Sequence, residues 1–355
     1  MKKIIYYIPA LSKGGAERVM LDLARKSADK GDKVLLVTVF KAEIEYDVPD
    51  NIQRVVLGES KEILKGKECV KRLRNICIKE NADLLVAFLN IYHAILATAF
   101  IKTKCIISIR NNPTTTYCST YAKLMNRWLL PFADGCVFQT KDARESFPAL
   151  KKKSVIIANP IKDSFFGIER KPIEGVLVSC GRLIKQKNQE MMIRAFEQVH
   201  RSYPTASLHI YGDGELKDYL EQLINQKKLT SCVFLEGISN DVENVLSKAD
   251  IFLLSSDFEG MPNALMEAMA AGVPSISTDC PCGGPKELLN DEMLSNYLVK
   301  VNDDNALAQK IIILLKDRAC LNETGRRLKQ VAQKYRSDSI FEIWNSYFDK
   351  IIGDS

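Results

Sequence analysis

One supersecondary pattern occurs twice in this chain and narrows its fold more than any other feature. The first copy is an apolar run, KIIYYIPAL, a glycine-containing loop, SKGG, a helical segment, AERVMLDLARKSADKG, and a second apolar run, KVLLVTVF. The second copy reads GVLVSCG, RLIKQKN, QEMMIRAFEQVHRSYP and SLHIYGDG. In the first helical segment Val19, Met20, Leu23 and Ala24 share one face, and Gly31 supplies the stop. Strand, polar loop, helix and strand in that order make the crossover unit of parallel sheets. Two independent starts predict an α/β chain with two doubly wound, Rossmann-like parallel-sheet domains. Further buried-type strands fit: ADLLVAFL, KCIISIR and GCVFQT in the first half, CVFLEG, IFLLSS and SISTD in the second.

The 355 residues suit two domains of about 150–180 residues better than one. The junction falls in IIANPIKDSFFGIERKPIEG, which carries two prolines and precedes the second strand–loop–helix start. Expected bounds are 1–160 for the first domain and 172–337 for the second. The tail helix, 338–355, carries Ile340, Phe341, Trp344, Tyr347, Phe348 and Ile351 along one side. Such a stripe needs a surface to cover, and packing back on the first domain is expected. Ser337 or Asp338 is its candidate cap.

Composition excludes several classes. With 46% hydrophobic and 26% charged residues, the chain is ordinary globular material. No run of about 18 apolar residues occurs, so no membrane-spanning helix is expected. The opening MKKIIYYIPALSKGG has no small-residue cleavage site and reads as a strand, which predicts a cytoplasmic protein. The ten cysteines form no C-x-x-C pair and read as small buried residues; the CPC at 280–282 is a poor metal site without a nearby histidine. No metal is expected. The net charge of +6 is uneven: residues 1–150 carry 24 basic and 16 acidic side chains. Part of that excess lies in KEILKGKECVKRLRNICIKE, 61–80. This is either a solvated helix face or an attraction to an anionic membrane surface or phosphorylated substrate.

Ligands of doubly wound sheets bind beyond the carboxyl ends of the strands, so loops that follow strands carry the candidate chemistry. Gly14 and Gly15 open the first helix, where bare backbone N–H groups suit a phosphate; a tight strand-to-helix turn reads equally well. GRLIKQKNQE brings Arg182, Lys185 and Lys187 after a strand, either to meet a diphosphate or as a solvated basic loop, with Asn188 a plausible helix cap. In SSDFEGMPNALMEAMAAGVPSIS, Glu259 precedes a helix that Pro262 opens and Gly272 with Pro274 closes. Glu267 lies inside that helix on the same face as Asn263. Carboxylates accept hydrogen bonds from paired hydroxyls, so two acids flanking a helix N-terminus can hold a molecule with hydroxyls at both ends and phosphate between. A nucleotide sugar has that form. The alternative is a dipole-stabilised Glu259 and a surface Glu267, but the apolar flank ALMEAMAAG argues that Glu267 is semi-buried.

These stretches resemble the retaining GT-B glycosyltransferases of family 4 (glycosyl transferases group 1). FEGMPNALMEAMAAGVPSIS is similar to the family's acid–seven–acid signature, GRLIKQKNQ to its Arg/Lys loop and YIPALSKGGAERVMLDLA to its glycine loop. YGDGEL, VFLEG, NPI and YRSDSIFEIWNSYF match in order, so the resemblance covers nearly the whole chain. It implies a GT-B fold with the two domains facing across a cleft. It further implies that Arg182 and Lys187 stabilise the departing nucleoside diphosphate while Glu259 contacts the transferred sugar. Donor contacts would come from Gly14, Gly15, Gly212, Gly214, Glu236, Ile238, Gly260, Met261, Asn263, Ala264, Leu265 and Glu267, the last on the ribose. Many family members carry a histidine where this chain has Arg110, in IISIRNNP. An arginine cannot serve as a base at neutral pH, but it can bind an acceptor phosphate or a charged sugar. Arg110 is thus a candidate catalytic and acceptor-binding residue, with Asn111 and His93 beside it as acceptor contacts. Of the three histidines, His200 and His209 read as structural.

The resulting expectation is a metal-independent, retaining hexosyltransferase of bacterial type with no cofactor. It would move a sugar from a UDP-sugar to a polyprenyl-diphosphate-linked or surface polysaccharide acceptor, as in capsule or O-antigen assembly, on the inner membrane face. No nucleic acid partner is expected. The alternatives are a GT-B-like nucleotide-sugar epimerase and a non-catalytic glycosyltransferase-like subunit.

Overall fold

The structure is a computed structural model that describes residues 1–12, 14–58, 66–110 and 120–353, the side chains of 120–123 excepted. It divides into two compact units, Met1–Pro160 with Ser337–Ser355, and Ile161–Arg336.

The first unit holds seven described strands: β1 (Lys3–Ile8), β2 (Lys33–Thr38), β3 (Gln53–Val56), β4 (Leu84–Phe88), β5 (Lys104–Ile109), β6 (Gly135–Phe138) and β7 (Ser154–Ile156). They lie in the order β3-β2-β1-β4-β5-β6-β7, and every pair is parallel. Ile4 sits between Val34 on one side and Leu84 on the other. β1, β4, β5 and β6 are buried almost end to end, because crossover helices cover both faces of a parallel sheet. The Gly15–Asp29 helix buries Val19, Met20, Leu23 and Ala24, and Gly31 follows it at φ +91°, a conformation glycine adopts without steric cost.

The tail helix, Ser337–Gly353, belongs to this unit and buries its whole aromatic stripe. Trp344 lies 6.0 Å from Phe88, ring centre to ring centre. The Tyr347 hydroxyl donates to Lys153 O (2.6 Å) and accepts from Cys136 N (3.0 Å), anchoring the helix to the starts of β6 and β7. Ser337 and Asp338, read as caps, tie the helix to the Gly15–Asp29 helix through Asp22 and Lys26.

The second unit contains β8 (Val176–Cys180), β9 (Ser207–Tyr211), β10 (Val233–Gly237), β11 (Ile251–Leu254), β12 (Ser275–Asp279) and β13 (Leu298–Lys300), in the order β10-β9-β8-β11-β12-β13. All pairs are again parallel. The Gln189–Ser202 helix starts where expected: the Asn188 side chain accepts from Met191 N, although Asn188 itself is left-handed at φ +47°. Gly272 ends the Asn263–Ala271 helix at φ +72°, and Pro262 sits one residue before its first turn. Strands β3, β7 and β13 went unread in the sequence. They have four, three and three residues, and a periodicity of two has no length over which to show itself in runs so short.

Candidate functional site

In each sheet, one pair of neighbouring strands marks where the winding reverses: β1 beside β4 in the first, β8 beside β11 in the second. At such a point the two following loops diverge to opposite sides and leave a crevice for a ligand. Gly14 and Gly15 follow β1 and His93 follows β4; Arg182 and Lys187 follow β8 and Glu259 follows β11. Strand order therefore delivers these candidates to the two reversal points.

At the β8–β11 reversal the loops are stitched together. Lys187 Nζ donates to Glu259 Oε1 at 2.5 Å, and Ser256 Oγ donates to the same oxygen at 2.7 Å. Gln186 O accepts from Asp257 N, and Gln186 Nε2 donates to Phe258 O. Ser255 Oγ donates to the carbonyls of Lys187 and Asn188, and Asn188 Nδ2 donates to Asp257. Glu259 is 7% exposed. A carboxylate so enclosed needs a cation and hydrogen bonds, and Lys187 with Ser256 supplies them. An ammonium carries three protons, so Lys187 can hold Glu259 and still donate to a phosphate. Arg182 is exposed, while its carbonyl accepts from Gln189 Nε2.

Glu267, also 7% exposed, lies within the Asn263–Ala271 helix. The Cys180 thiol at the end of β8 is pushed up to about 12, by its own burial first and then by the charge of Glu267. Leu265 is fully buried and Met261 nearly so, whereas Asn263 and Ala264 are half-buried at the start of the helix. Backbone packing is tightest at the glycines. A Cβ on Gly212 (φ +141°) would lie 1.9 Å from Gly181 O, and one on Gly214 would lie 2.4 Å from Leu183 O. The loop after β9 is thereby pressed against the loop after β8. Farther out, Glu236 Oε1 accepts from His209 Nδ1 at 2.6 Å, and Ile238 is exposed. His209 also reaches Ser207 Oγ and stacks on Phe234, so its role is structural in this respect.

One element of this site was not read from the sequence: the loop Cys280–Gly284 after β12. Pro281 O accepts from Glu259 N at 3.2 Å. Burial and then the Glu259 charge push the Cys280 thiol up to about 12. A Cβ on Gly284 would lie 1.6 Å from Gly260 O. The signal was there in CGGP, a second paired-glycine turn after a strand. Cys282 and Gly283 take positive φ (+71° and +69°) to make it. Among the described residues no cluster of His, Cys, Asp or Glu fit to hold a metal ion occurs, the CPC pair included. Seven of the nine described cysteines are buried.

In the first unit, Gly14 caps the Gly15–Asp29 helix with extended backbone, and the Glu17 side chain folds back to accept from Ser12 Oγ at 3.1 Å. A Cβ on Gly14 would strike that carboxylate at 2.3 Å. His93 Nδ1 pairs with the Tyr7 hydroxyl at 3.1 Å, and burial lowers its pKa, which favours the neutral ring. Arg110 ends β5. Its guanidinium stacks on Phe88 (3.9 Å) and donates to Asn159 Oδ1 (2.7 Å) and Ser108 Oγ (3.1 Å). Burial lowers its pKa to about 9. Its Nη2 is buried with no hydrogen-bond partner among the described residues. Asn111 lies outside the described residues.

Two family models match: "Glycosyltransferase Family 4" over residues 13–165 and "Glycosyl transferases group 1" over residues 161–335. An uncharacterized glycosyltransferase of Methanocaldococcus jannaschii is 35% identical over 211 residues, which is 54% of this chain and 52% of that protein. The chain thus spans about half the length of that relative. A Campylobacter jejuni protein named N-acetylgalactosamine-N,N'-diacetylbacillosaminyl-diphospho-undecaprenol 4-alpha-N-acetylgalactosaminyltransferase is 29% identical over 93% of this chain and 95% of its own. Among solved structures, Anabaena HepE in complex with UDP and glucose superposes with a TM-score of 0.78 at 17% identity, over 98% of this chain and 99% of that one. The matched models, taken together with the two parallel sheets, establish that this chain belongs to the family 4 glycosyltransferases (glycosyl transferases group 1) and has the GT-B fold.

Proposed function

We propose that the chain transfers a sugar from a UDP-sugar to a saccharide acceptor carried on a lipid diphosphate or on a growing surface polysaccharide, with retention of configuration and without a metal ion. The observation that carries this reading is the Lys187–Glu259 pair at the β8–β11 reversal. It sets a cation suited to a departing phosphate against a carboxylate suited to sugar hydroxyls.

In this reading the anomeric carbon–phosphate oxygen bond breaks as the acceptor hydroxyl bonds that carbon on the same face. The departing phosphate oxygen takes the hydroxyl proton. Arg182 and Lys187 hold the negative charge that develops on the diphosphate. Glu259 positions the sugar, Glu267 accepts from the ribose hydroxyls, and Glu236 with Ile238 borders the base. The backbone at Gly212, Gly214, Gly260, Met261 and Asn263–Leu265 completes the donor contacts in the second unit. Gly14 and Gly15 are assigned to the diphosphate.

The first unit is assigned to the acceptor. Arg110, stacked on Phe88 and with Nη2 buried, suits an anionic acceptor group, and His93 lines the same strand ends. The undecaprenol diphosphate in the name of the Campylobacter relative, and the UDP bound to the Anabaena structure, support the choice of lipid-linked acceptor and UDP. Such an acceptor places the protein at the inner membrane face.

The test is UDP release from a panel of UDP-sugars, with and without a polyprenyl-diphosphate saccharide, in EDTA, with product stereochemistry by NMR. Acceptor-dependent release with an axial or equatorial linkage matching the donor supports the reading. Release that needs a divalent ion removes the metal-free part, and an inverted product removes retention. Conversion of the donor without acceptor favours epimerisation instead.

A further inference from the structure

We infer that His93 binds an acceptor oxygen as a neutral Nε2–H donor, and that Tyr7 is the residue that positions it for this by holding its Nδ1. Tyr7 belongs to β1 and His93 to the helix after β4, so the two meet where the first sheet reverses its winding. The Tyr7 hydroxyl lies 3.1 Å from His93 Nδ1, and Tyr7 is fully buried. The Asn90 side chain bonds the same hydroxyl, and that bond eases loss of the phenol proton, as a donor to the oxygen does. Asn90 thus donates to the Tyr7 oxygen, and the hydroxyl donates its own proton to Nδ1. Burial keeps the phenol protonated far above neutral pH. A neutral imidazole that accepts at Nδ1 carries its hydrogen on Nε2.

The backbone is bent to make this arrangement. Leu89, between β4 and the Ile91–Thr98 helix, takes a left-handed φ of +69°, and Asn90 N donates to Phe88 O across it at 2.9 Å. A residue with a Cβ adopts that conformation at a cost, and such costs gather at functional sites. Asn90 stands at the cap position of the helix, yet its side chain makes no capping bond and is turned to Tyr7 instead. His93 is the third residue of that helix, where the positive end of the dipole opposes an imidazolium, and burial lowers its pKa as well. On the other side of the ring, a Cβ on Gly66 would lie 3.2 Å from Nε2, and Gly66 is exposed. Nε2 therefore stands at the rim of the unit while Nδ1 is held inside. No base is required here, because in the reaction proposed above the departing phosphate takes the acceptor's proton. A neutral N–H donor instead fixes the acceptor's orientation through one of its hydroxyl oxygens.

The donor role of His93 rests on the acceptor reading; its pairing with Tyr7 is tested apart from it, because the tautomer is read on the free chain. The chain has three histidines, so a long-range proton–nitrogen spectrum of the histidine-labelled protein resolves each ring, with His200→Gln and His209→Gln to assign the other two. Expected for His93 are a bare Nδ1 and a protonated Nε2, with Tyr7→Phe mixing the two tautomers. With a polyprenyl-diphosphate saccharide as acceptor, Tyr7→Phe and His93→Leu should raise the acceptor KM roughly three- to ten-fold at unchanged donor KM. His93→Gln, whose amide N–H reaches the Nε2 position, should stay close to wild type. A protonated Nδ1 in the wild type overturns the inference. So does a Tyr7→Phe chain that loses Tm but keeps the wild-type tautomer, or a His93→Gln chain as impaired as His93→Leu. The expected tautomers without any sugar transfer would remove the proposed function and the donor role, and leave the Tyr7 pairing supported.

Discussion

Lys187 and Glu259, 72 residues apart in sequence, meet at 2.5 Å where the second sheet reverses its winding. The contact fixes a nearly buried carboxylate with a cation that has donors to spare. If the pair acts as one unit, its members cannot contribute independently. Glu259→Gln and Lys187→Met should each lower kcat by about 10²-fold or more, and the double variant should lose far less than the product. Strictly multiplicative losses would separate the two residues.

Gly284 and Gly260 are pressed together by backbone alone. A methyl group at 284 would have to occupy space 1.6 Å from Gly260 O, and a carbonyl cannot swing aside as a flexible side chain can. Gly284→Ala should destabilise the second unit by about 2–4 kcal/mol, with a fall in Tm of several degrees by calorimetry. The same change at Gly167, which has nothing near its Cβ position, should leave Tm almost unmoved.

Glu45 and Arg54 give the first unit an acid-sensitive tie. Arg54 donates to both carboxylate oxygens, at 2.6 and 3.0 Å, and Ala42 N donates at 2.8 Å. The Arg54 hydrogen bonds, opposed by burial and helped by the Ala42 backbone bond, lower the pKa of Glu45 to about 2 from 4.5. A depressed carboxylate stabilises the fold above its unfolded pKa and loses that contribution as pH falls through the folded one. The tie is thus worth up to about 3 kcal/mol at neutral pH, fading between about 4.5 and 2. Urea unfolding of wild type and Glu45→Gln should differ at pH 7, draw together as pH falls from about 4.5, and converge only below about pH 2. A gap independent of pH would contradict this.

Arg110 is assigned to an anionic acceptor group, so its loss should be felt on one substrate. Arg110→Met should raise the acceptor KM about ten-fold or more while donor affinity stays within two-fold, because a hydrogen bond to a charged group contributes about 1.5–3 kcal/mol. Matching losses for both substrates would point to collapse of the Asn159 and Phe88 contacts instead.

Much of this was legible in sequence because it rests on local periodicity. The crossover units, the tail stripe ending on Trp344 and the semi-burial of Glu267 follow from which residues repeat on one face. The spacing of Glu259 and Glu267 suggested a ligand with hydroxyls at both ends, a reading that the proposed function carries forward. The Lys187–Glu259 pairing could not be read, since it depends on β8 lying beside β11. The Cys280–Gly284 loop was missed for a similar reason: its glycines matter through what they touch, the carbonyl of Gly260. Short strands such as β7 owe their existence to a neighbour's open edge, a non-local cause. Arg110 was legible as a departure from the family pattern, but its stacking on Phe88 and its buried Nη2 required the fold.

The measurement that bears most directly on the account is thermal stabilisation of wild type and Glu267→Ala by a panel of nucleoside diphosphates in EDTA. Ligand at about 100 times Kd adds roughly 2.7 kcal/mol to the folded state. The account predicts that UDP raises the wild-type Tm by several degrees and the variant's far less, with ADP and GDP weaker. No shift with any nucleotide, or an equal shift in the variant, would contradict it.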